Sequence, residues 1–245
     1  MKKIIVFCVA FLATMSLWAS ETSVKNADGV EIWYDFDSST KTASVTSLDY
    51  STREVVIPST VTYESEEYNV TSIGVFAFER CSSDLISVTI PDGVTTIGDW
   101  AFGFCRYLTS IMIPESVTEI GESAFEDCRS LRSVTIPSGV TTIGDWAFYE
   151  CGFTSITCKN TTPPTCVYSF DSVDKSIPVY VPVESVEAYK NAEGWKEFTN
   201  IQAIPSSSVA NAKAETQDSV RKEYRDGQVL IIKGDKTYTM FGTEY

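Results

Sequence analysis

Leu108-Thr109-Ser110-Ile111-Met112-Ile113-Pro114-Glu115-Ser116-Val117-Thr118-Glu119-Ile120-Gly121-Glu122-Ser123-Ala124-Phe125-Glu126-Asp127-Cys128 is the middle one of three near-copies in this chain. One copy runs before it from Leu85 to Cys105 and another after it from Leu131 to Cys151, at a period of 23 residues. The alternating apolar residues, the proline, the Ile-Gly pair, the Ala-Phe pair and the cysteine return at fixed places in each. A period of about 20–29 residues is the mark of a repeat solenoid. Such a unit cannot bury its apolar positions alone and must stack on its neighbours, which yields a long regular surface rather than a closed pocket.

Inside each copy, Leu-x-x-Val-x-Ile reads as a short strand with its apolar residues inward. The proline that follows ends it, because proline cannot donate to a ladder. Val94, Ile97 and their equivalents turn inward again on the opposite side. Gly98, Gly121 and Gly144 stand where a Cβ would not fit, and Ala-Phe fills the space between coils. One strand from each inner coil is expected to join a continuous parallel sheet, with Leu85, Leu108 and Leu131 on one face.

The pattern loosens toward both ends. Ile32–Phe36 and Ala43–Thr46, separated by the polar Asp37-Ser38-Ser39-Thr40, read as a hairpin that caps the open end of the stack. Val55-Val56-Ile57-Pro58 begins a first coil lengthened by Tyr63 to Tyr68. A degenerate coil follows the third copy, with Cys158 at an isoleucine position and Ser169-Phe170 standing for Ala-Phe. Val179-Tyr180-Val181-Pro182 is a last strand, and Glu184–Ala192 a short helix with Val186 and Tyr189 on one face. Trp195 and Phe198 are placed to close the far end.

The chain termini lie outside this scheme. Lys2 and Lys3, an apolar run from Ile4 to Trp18 and the small pair Ala19-Ser20 read as a secretory signal peptide over 1–20, cut near Ala19 or Ser20. No later stretch is long and apolar enough to cross a bilayer. The organisation expected is therefore a signal peptide at 1–20, a β cap at 21–52, the solenoid at 53–204, a Ser/Ala-rich linker at 205–219 and a turn-rich, hairpin-like tail at 220–245. A secreted or outer-surface location follows from the leader.

Composition removes several functions. The 33 acidic residues face 19 basic ones, two of them in the leader, so nucleic acid and anionic lipid are poor partners. There is no histidine, which removes Ser-His-Asp and Cys-His nucleophile activation and imidazole metal sites. Cys81, Cys105, Cys128 and Cys151 keep the period of the repeat and read as a ladder of buried thiols rather than a zinc site or a set of bridges. For Cys158 and Cys166, beside Pro163-Pro164, a bridge and two free thiols both stay open.

Two outward surfaces remain for function. On the strand side, Ser110, Met112, Ser133 and Thr135, with Ser87 and Thr89, form a neutral hydroxyl-rich face. On the turn side, one variable position holds Phe76, Trp100, Ser123 and Trp146, preceded in the last three by Asp99, Glu122 and Asp145. Trp100 and Trp146 lie two coils apart, about 10 Å at the usual strand spacing, a pitch suited to anchoring a partner loop or stacking on a glycan. A glycosidase would have to rest on carboxylates such as Asp99 and Glu122. Repetition puts such pairs everywhere without the apolar pocket that raises one pKa, so the chain is read as non-catalytic, without cofactor or metal.

Residues 108–128 match, at every fixed position, the repeat Leu-x-x-Ile-x-Ile-Pro-x-x-Val-x-x-Ile-Gly-x-x-Ala-Phe-x-x-Cys of the BspA-like leucine-rich-repeat proteins, which this chain resembles over roughly 50–204. Val179–Pro182, Ala188-Tyr189-Lys190, Gly194-Trp195 and Phe198–Ile201 are similar to that family's closing coil. The resemblance implies a mainly β repeat solenoid: a right-handed leucine-rich-repeat superhelix with an N-terminal β-hairpin cap and a short helix in the C-terminal end coil. It also implies export and a role in adhesion or protein binding, the partner being an extracellular protein before a glycan. It carries over no ligand-binding residue. The tail from Val220 resembles C-terminal segments of secreted proteins of anaerobic gut and oral bacteria, some of which are sorting signals. That likeness implies an encounter with export or surface-attachment machinery through 220–245.

Overall fold

The computed structural model describes residues 22–48, 52–81 and 85–205, and the backbone of strands within 221–239. The leader read at 1–20 and the linker beyond Pro205 lie outside the described residues. Strands β1 (Thr22–Lys25), β2 (Glu31–Asp37) and β3 (Thr42–Leu48) form an antiparallel meander. Asp37 makes the β2–β3 turn: its carboxylate accepts from the backbone N–H and hydroxyl of Ser39. These hydrogen bonds to Ser39, with Thr40 adding others, lower its pKa to about 2. After β4 (Glu54–Val56), strands β5 (Thr60–Tyr63) and β6 (Glu66–Ile73) make the hairpin that lengthens the first coil.

Each of the three copies then contributes two strands, where the sequence reading expected one. The first copy gives β7 (Ser87–Thr89) and β8 (Thr96–Ile97), the second β9 (Ser110–Met112) and β10 (Glu119–Ile120), the third β11 (Ser133–Ile136) and β12 (Thr142–Ile143). One sheet runs β1-β2-β3-β6-β8-β10-β12. The Val-x-Ile strands form the other wall, in two blocks: β4-β7-β9, then β11 with β13 (Ser155–Cys158), β14 (Val179–Val181) and β15 (Ile201–Ala203). The expected continuous sheet is thus interrupted between β9 and β11. At the centre of β9, Ile111 is only half-buried, whereas Val88 and Val134 at the same register are interior. The coil carrying β9 is therefore less covered on this wall. Strand β14 leads into a 3-10 turn at Val183–Ser185 and helix α1 (Val186–Asn191), a shorter helix than the sequence pattern suggested. In the tail, β16 (Arg221–Arg225), β17 (Gln228–Lys233) and β18 (Lys236–Thr239) pair antiparallel in their own sheet.

The core is a set of columns. Leu85, Leu108 and Leu131 are all buried, as are Val94, Val117 and Val140. Phe78, Phe102, Phe125, Phe148 and Phe170 stack ring on ring, with centroids 4.8, 5.1, 5.3 and 5.2 Å apart and planes within 12°. Trp195 lies tilted and Phe198 edge-on against Phe170, and the two close the stack. Trp195 Nε1 donates to the Pro164 carbonyl and Tyr189 Oη to that of Asn160, so both rings are fixed at their polar ends.

Coil-to-coil approach explains the glycines. A Cβ on Gly144 would lie 2.5 Å from the Glu122 nitrogen and 2.6 Å from the Gly121 carbonyl carbon. The glycine is required by the backbone of the coil beneath it. That closeness lets the N–H of Gly98, Gly121 and Gly144 reach the carbonyls of Ile73, Ile97 and Ile120 at 2.8 Å.

All six described cysteines are free and buried, which answers the open question at Cys158 and Cys166. The thiols of Cys105, Cys128 and Cys151 donate to the carbonyls of Phe78, Phe102 and Phe125, each in the coil before, at 3.1–3.3 Å. The neighbouring Cys81 thiol, then burial, pushes Cys105 well above the ordinary thiol value. Burial is the leading cause for Cys128 and Cys158, and it pushes Cys166 up to about 12. These thiols are packing groups with a hydrogen bond, not nucleophiles.

Phe125→Ala removes the centre of the ring column and should cost about 3–5 kcal/mol, read as a lower urea midpoint for the solenoid. The raised thiol pKa values also set a sign with pH. Their stabilisation is complete below about pH 8.5, where unfolded thiols are still protonated. It is lost as pH rises, because the unfolded chain ionises first, at up to about 1.4 kcal/mol per pH unit for each thiol. Under reducing conditions the urea midpoint should fall between pH 7.5 and 9.5, and fall less in Cys128→Ala.

Candidate functional site

The turn side is built from alternating hydrogen bonds. Ala77, Glu79 and Cys81 donate within their coil to Gly74, Phe76 and Phe78, while Phe76, Phe78 and Arg80 donate to Asp99, Ala101 and Gly103 of the next coil. Along this turn, the first and fifth residues lie in the left-handed region. Phe76, Trp100, Ser123 and Trp146 have φ of 60°, 56°, 52° and 56°. Arg80, Phe104, Asp127 and Glu150 repeat this at 53°, 61°, 58° and 52°. The strain is about 1–2 kcal/mol for each non-glycine residue, and the cross-coil bonds offset it. Nothing in the sequence signalled this, since these residue types ordinarily avoid such angles.

The structure divides the turn-side residues. Trp100 stacks with Phe76, centroids 6.5 Å apart, and with Phe104 at 5.7 Å. Ser123 is fully buried, its hydroxyl donating to Glu126 at 2.7 Å. Trp146, 42% exposed, has no ring partner among the described residues. The two tryptophans are therefore separate features, one in an aromatic row and one standing alone. Asp99 is occupied in structure: its carboxylate accepts the Glu122 N–H at 2.8 Å.

Sequence reasoning missed the corner beside this row. Phe104 holds the guanidinium carbons of Arg80 and Arg106 at 5.5 and 5.9 Å from its ring centre. Arg106 donates through Nε to Asp127 at 2.7 Å, and Asp127 also takes Arg129, which reaches on to Glu150 at 2.6 Å. The Asp127 side chain is nearly buried while both arginines are more than half exposed. The available signal was that Gly103-Phe104 departs from the Glu-Arg, Glu-Asp and Tyr-Glu of the other coils.

On the strand side, Ser110, Met112, Ser133 and Thr135 are exposed, Met112 at 79%. They sit on β9 and β11, on either side of the interruption in the sheet. At the end of this wall, Glu115 pairs with Lys159 two coils on and also accepts from Ser138. The Lys159 ammonium holds the Glu115 carboxyl below the ordinary value. Among the described residues no three Cys, Asp or Glu side chains converge as metal ligands, and no helix is long and apolar enough to cross a membrane.

A leucine-rich repeat protein from Bacteroides capillosus ATCC 29799 is 30% identical, with a TM-score of 0.50; the match covers 57% of this chain and 99% of that one. Another from Bacteroides ovatus ATCC 8483, also 30% identical with a TM-score of 0.50, is matched over 72% of this chain and only 40% of its own length. No protein of curated function matches the chain. Residues 51–176 match the model of the BspA type leucine rich repeat region in six copies. The chain belongs to the BspA-type leucine-rich-repeat family.

Proposed function

We propose that this chain is an exported, non-catalytic binding protein that recognises an extracellular protein through the outer surface of its solenoid, at the cell surface or beyond it. One observation carries the reading. At the turn-side column the backbone repeats within 8° in φ while the side chain changes from Phe76 to Trp100, Ser123 and Trp146. The fold dictates the conformation there and admits different side chains, Ser123 buried but Phe76 and Trp146 exposed, and rigid aromatics on a fixed backbone are the usual anchors of an interface. The carboxylates offer no counterpart for catalysis: Asp99, Asp127 and Glu115 are each engaged in joining coils. The tail strands, which form a sheet of their own, are assigned to export or surface attachment.

The protein without its leader, screened on arrays of extracellular proteins and glycans, should bind a protein saturably. Trp100→Ala plus Trp146→Ala should weaken that binding about tenfold or more if the turn side carries it. Loss instead with Ser110→Arg plus Ser133→Arg would move the ligand to the strand side. Glycan binding alone would replace the partner class, and no binding at all would leave a spacer. For the tail, truncation after Ile204 should leave the melting temperature of the solenoid unchanged and alter delivery to the surface of the native host. A large drop in melting temperature with delivery intact would make the tail structural.

A further inference from the structure

The second coil departs from its own repeat at two adjacent outward positions, and both departures serve one cluster. Gly103 replaces Glu79, Glu126 and Tyr149 of the other coils, and a Cβ there would lie 2.8 Å from Trp100 Cε3. The glycine lets the indole lie down against the chain. Phe104 replaces Arg80, Asp127 and Glu150, and its ring meets that same indole. Neither change is needed for stacking, because the other coils stack without them. The result is a row Phe76–Trp100–Phe104 that ends under two guanidiniums, with Tyr107 exposed beside Arg106.

This corner gathers arginines in an acidic chain, with Arg80, Arg106 and Arg129 in ion pairs with Glu79, Asp127 and Glu150. Arg80, Arg106, Arg129 and Arg132 lie between a coil's turn and the strand that follows, and Arg53 just before β4, in a chain of formal net charge −14. Arg80 is the most open of the three that form ion pairs, its side chain 75% exposed with Glu79 at 3.4 Å. Arg106 spends its Nε on Asp127. A guanidinium has five N–H donors in a fork shaped for carboxylate, so both keep donors for a ligand.

Building on the reading of the chain as a protein-binding solenoid, we propose that this corner docks an acidic segment of the partner protein. The segment lays an apolar side chain on the Phe76–Trp100–Phe104 row and sets a carboxylate on Arg80 and Arg106. Aromatic residues and arginine are the side chains that dominate interface energetics, and here they coincide. The partner's carboxylates supply the complementary charge, and the acidic remainder of the solenoid disfavours a partner that is acidic over a broad surface.

The test uses the full protein without its leader and two synthetic peptides, one alternating Asp or Glu with Leu and Phe, the other with Asn and Gln in place of the acids. An oligogalacturonate serves as the glycan probe. The acidic peptide should bind saturably and at least tenfold more tightly than its amide counterpart. Arg80→Gln and Phe104→Asp should each weaken it about tenfold with the melting temperature unchanged, since the next coil already carries aspartate at the Phe104 register. Equal binding of both peptides, binding indifferent to both variants, oligogalacturonate binding in place of peptide, or no binding of either probe would each overturn the proposal. If the variants retain the array binding of the parent protein, the binding-protein reading stands and only this corner is excluded. If the parent protein binds nothing on the arrays, the broader reading falls with it.

Discussion

The distance between one coil and the next is the constraint on which the rest of this structure depends. Two unlike interactions demand nearly the same value. Backbone hydrogen bonding between parallel strands needs about 4.8 Å, and the buried phenylalanine rings sit at 4.8–5.3 Å centre to centre with their planes nearly parallel. A larger residue at Gly144, or a bulkier one at the alanine before each ring, would force the coils apart and weaken both at once. The small residues of the repeat are therefore spacers set by the ladder, and the phenylalanine is the side chain whose thickness suits the gap.

The same constraint explains the thiols. At this pitch a side chain next to the ring column must be small, must tolerate full burial, and must face the carbonyl of the phenylalanine in the coil before it. Cysteine meets all three, since its thiol is compact and can still donate weakly to that carbonyl. Pairing two such thiols would take those hydrogen bonds away. In this setting the periodic cysteine is better understood as a hydrophobe with a hydrogen bond than as half of a bridge.

The interior was legible in the sequence because burial is what periodicity reports. Leu108, Val117, Ile120, Ala124, Phe125 and Cys128 recur with the period and are all buried. Trp195 and Phe198 could be placed at the end of the stack because an open apolar face must be covered. What could not be read depends on backbone angles and partners. The second strand of each coil, such as Glu119–Ile120, is only two residues long, too short for an alternation to register. The left-handed column at Phe76, Trp100, Ser123 and Trp146 arises from hydrogen bonds that alternate between one coil and the next, which no single coil's sequence contains. The difference between the surroundings of Trp100 and Trp146 has a related reason. Their repeat positions are the same, but Gly103-Phe104 follows one and Tyr149-Glu150 the other.

Stacking also separates what the chain needs to fold from what it can use to recognise. Interior columns accept little change, because each residue is seen by the coils above and below. Outward positions on the turn are held at left-handed angles by cross-coil hydrogen bonds made by the backbone alone, so residues as different as Phe104, Asp127 and Glu150 occupy one register with φ between 52° and 61°. The backbone of such a surface stays the same while its side chains change from coil to coil. Regularity is then the background against which a departure carries meaning: Gly103 and Phe104 leave the pattern together and meet the same indole, stacking does not require them, and this is what supports a reading of recognition.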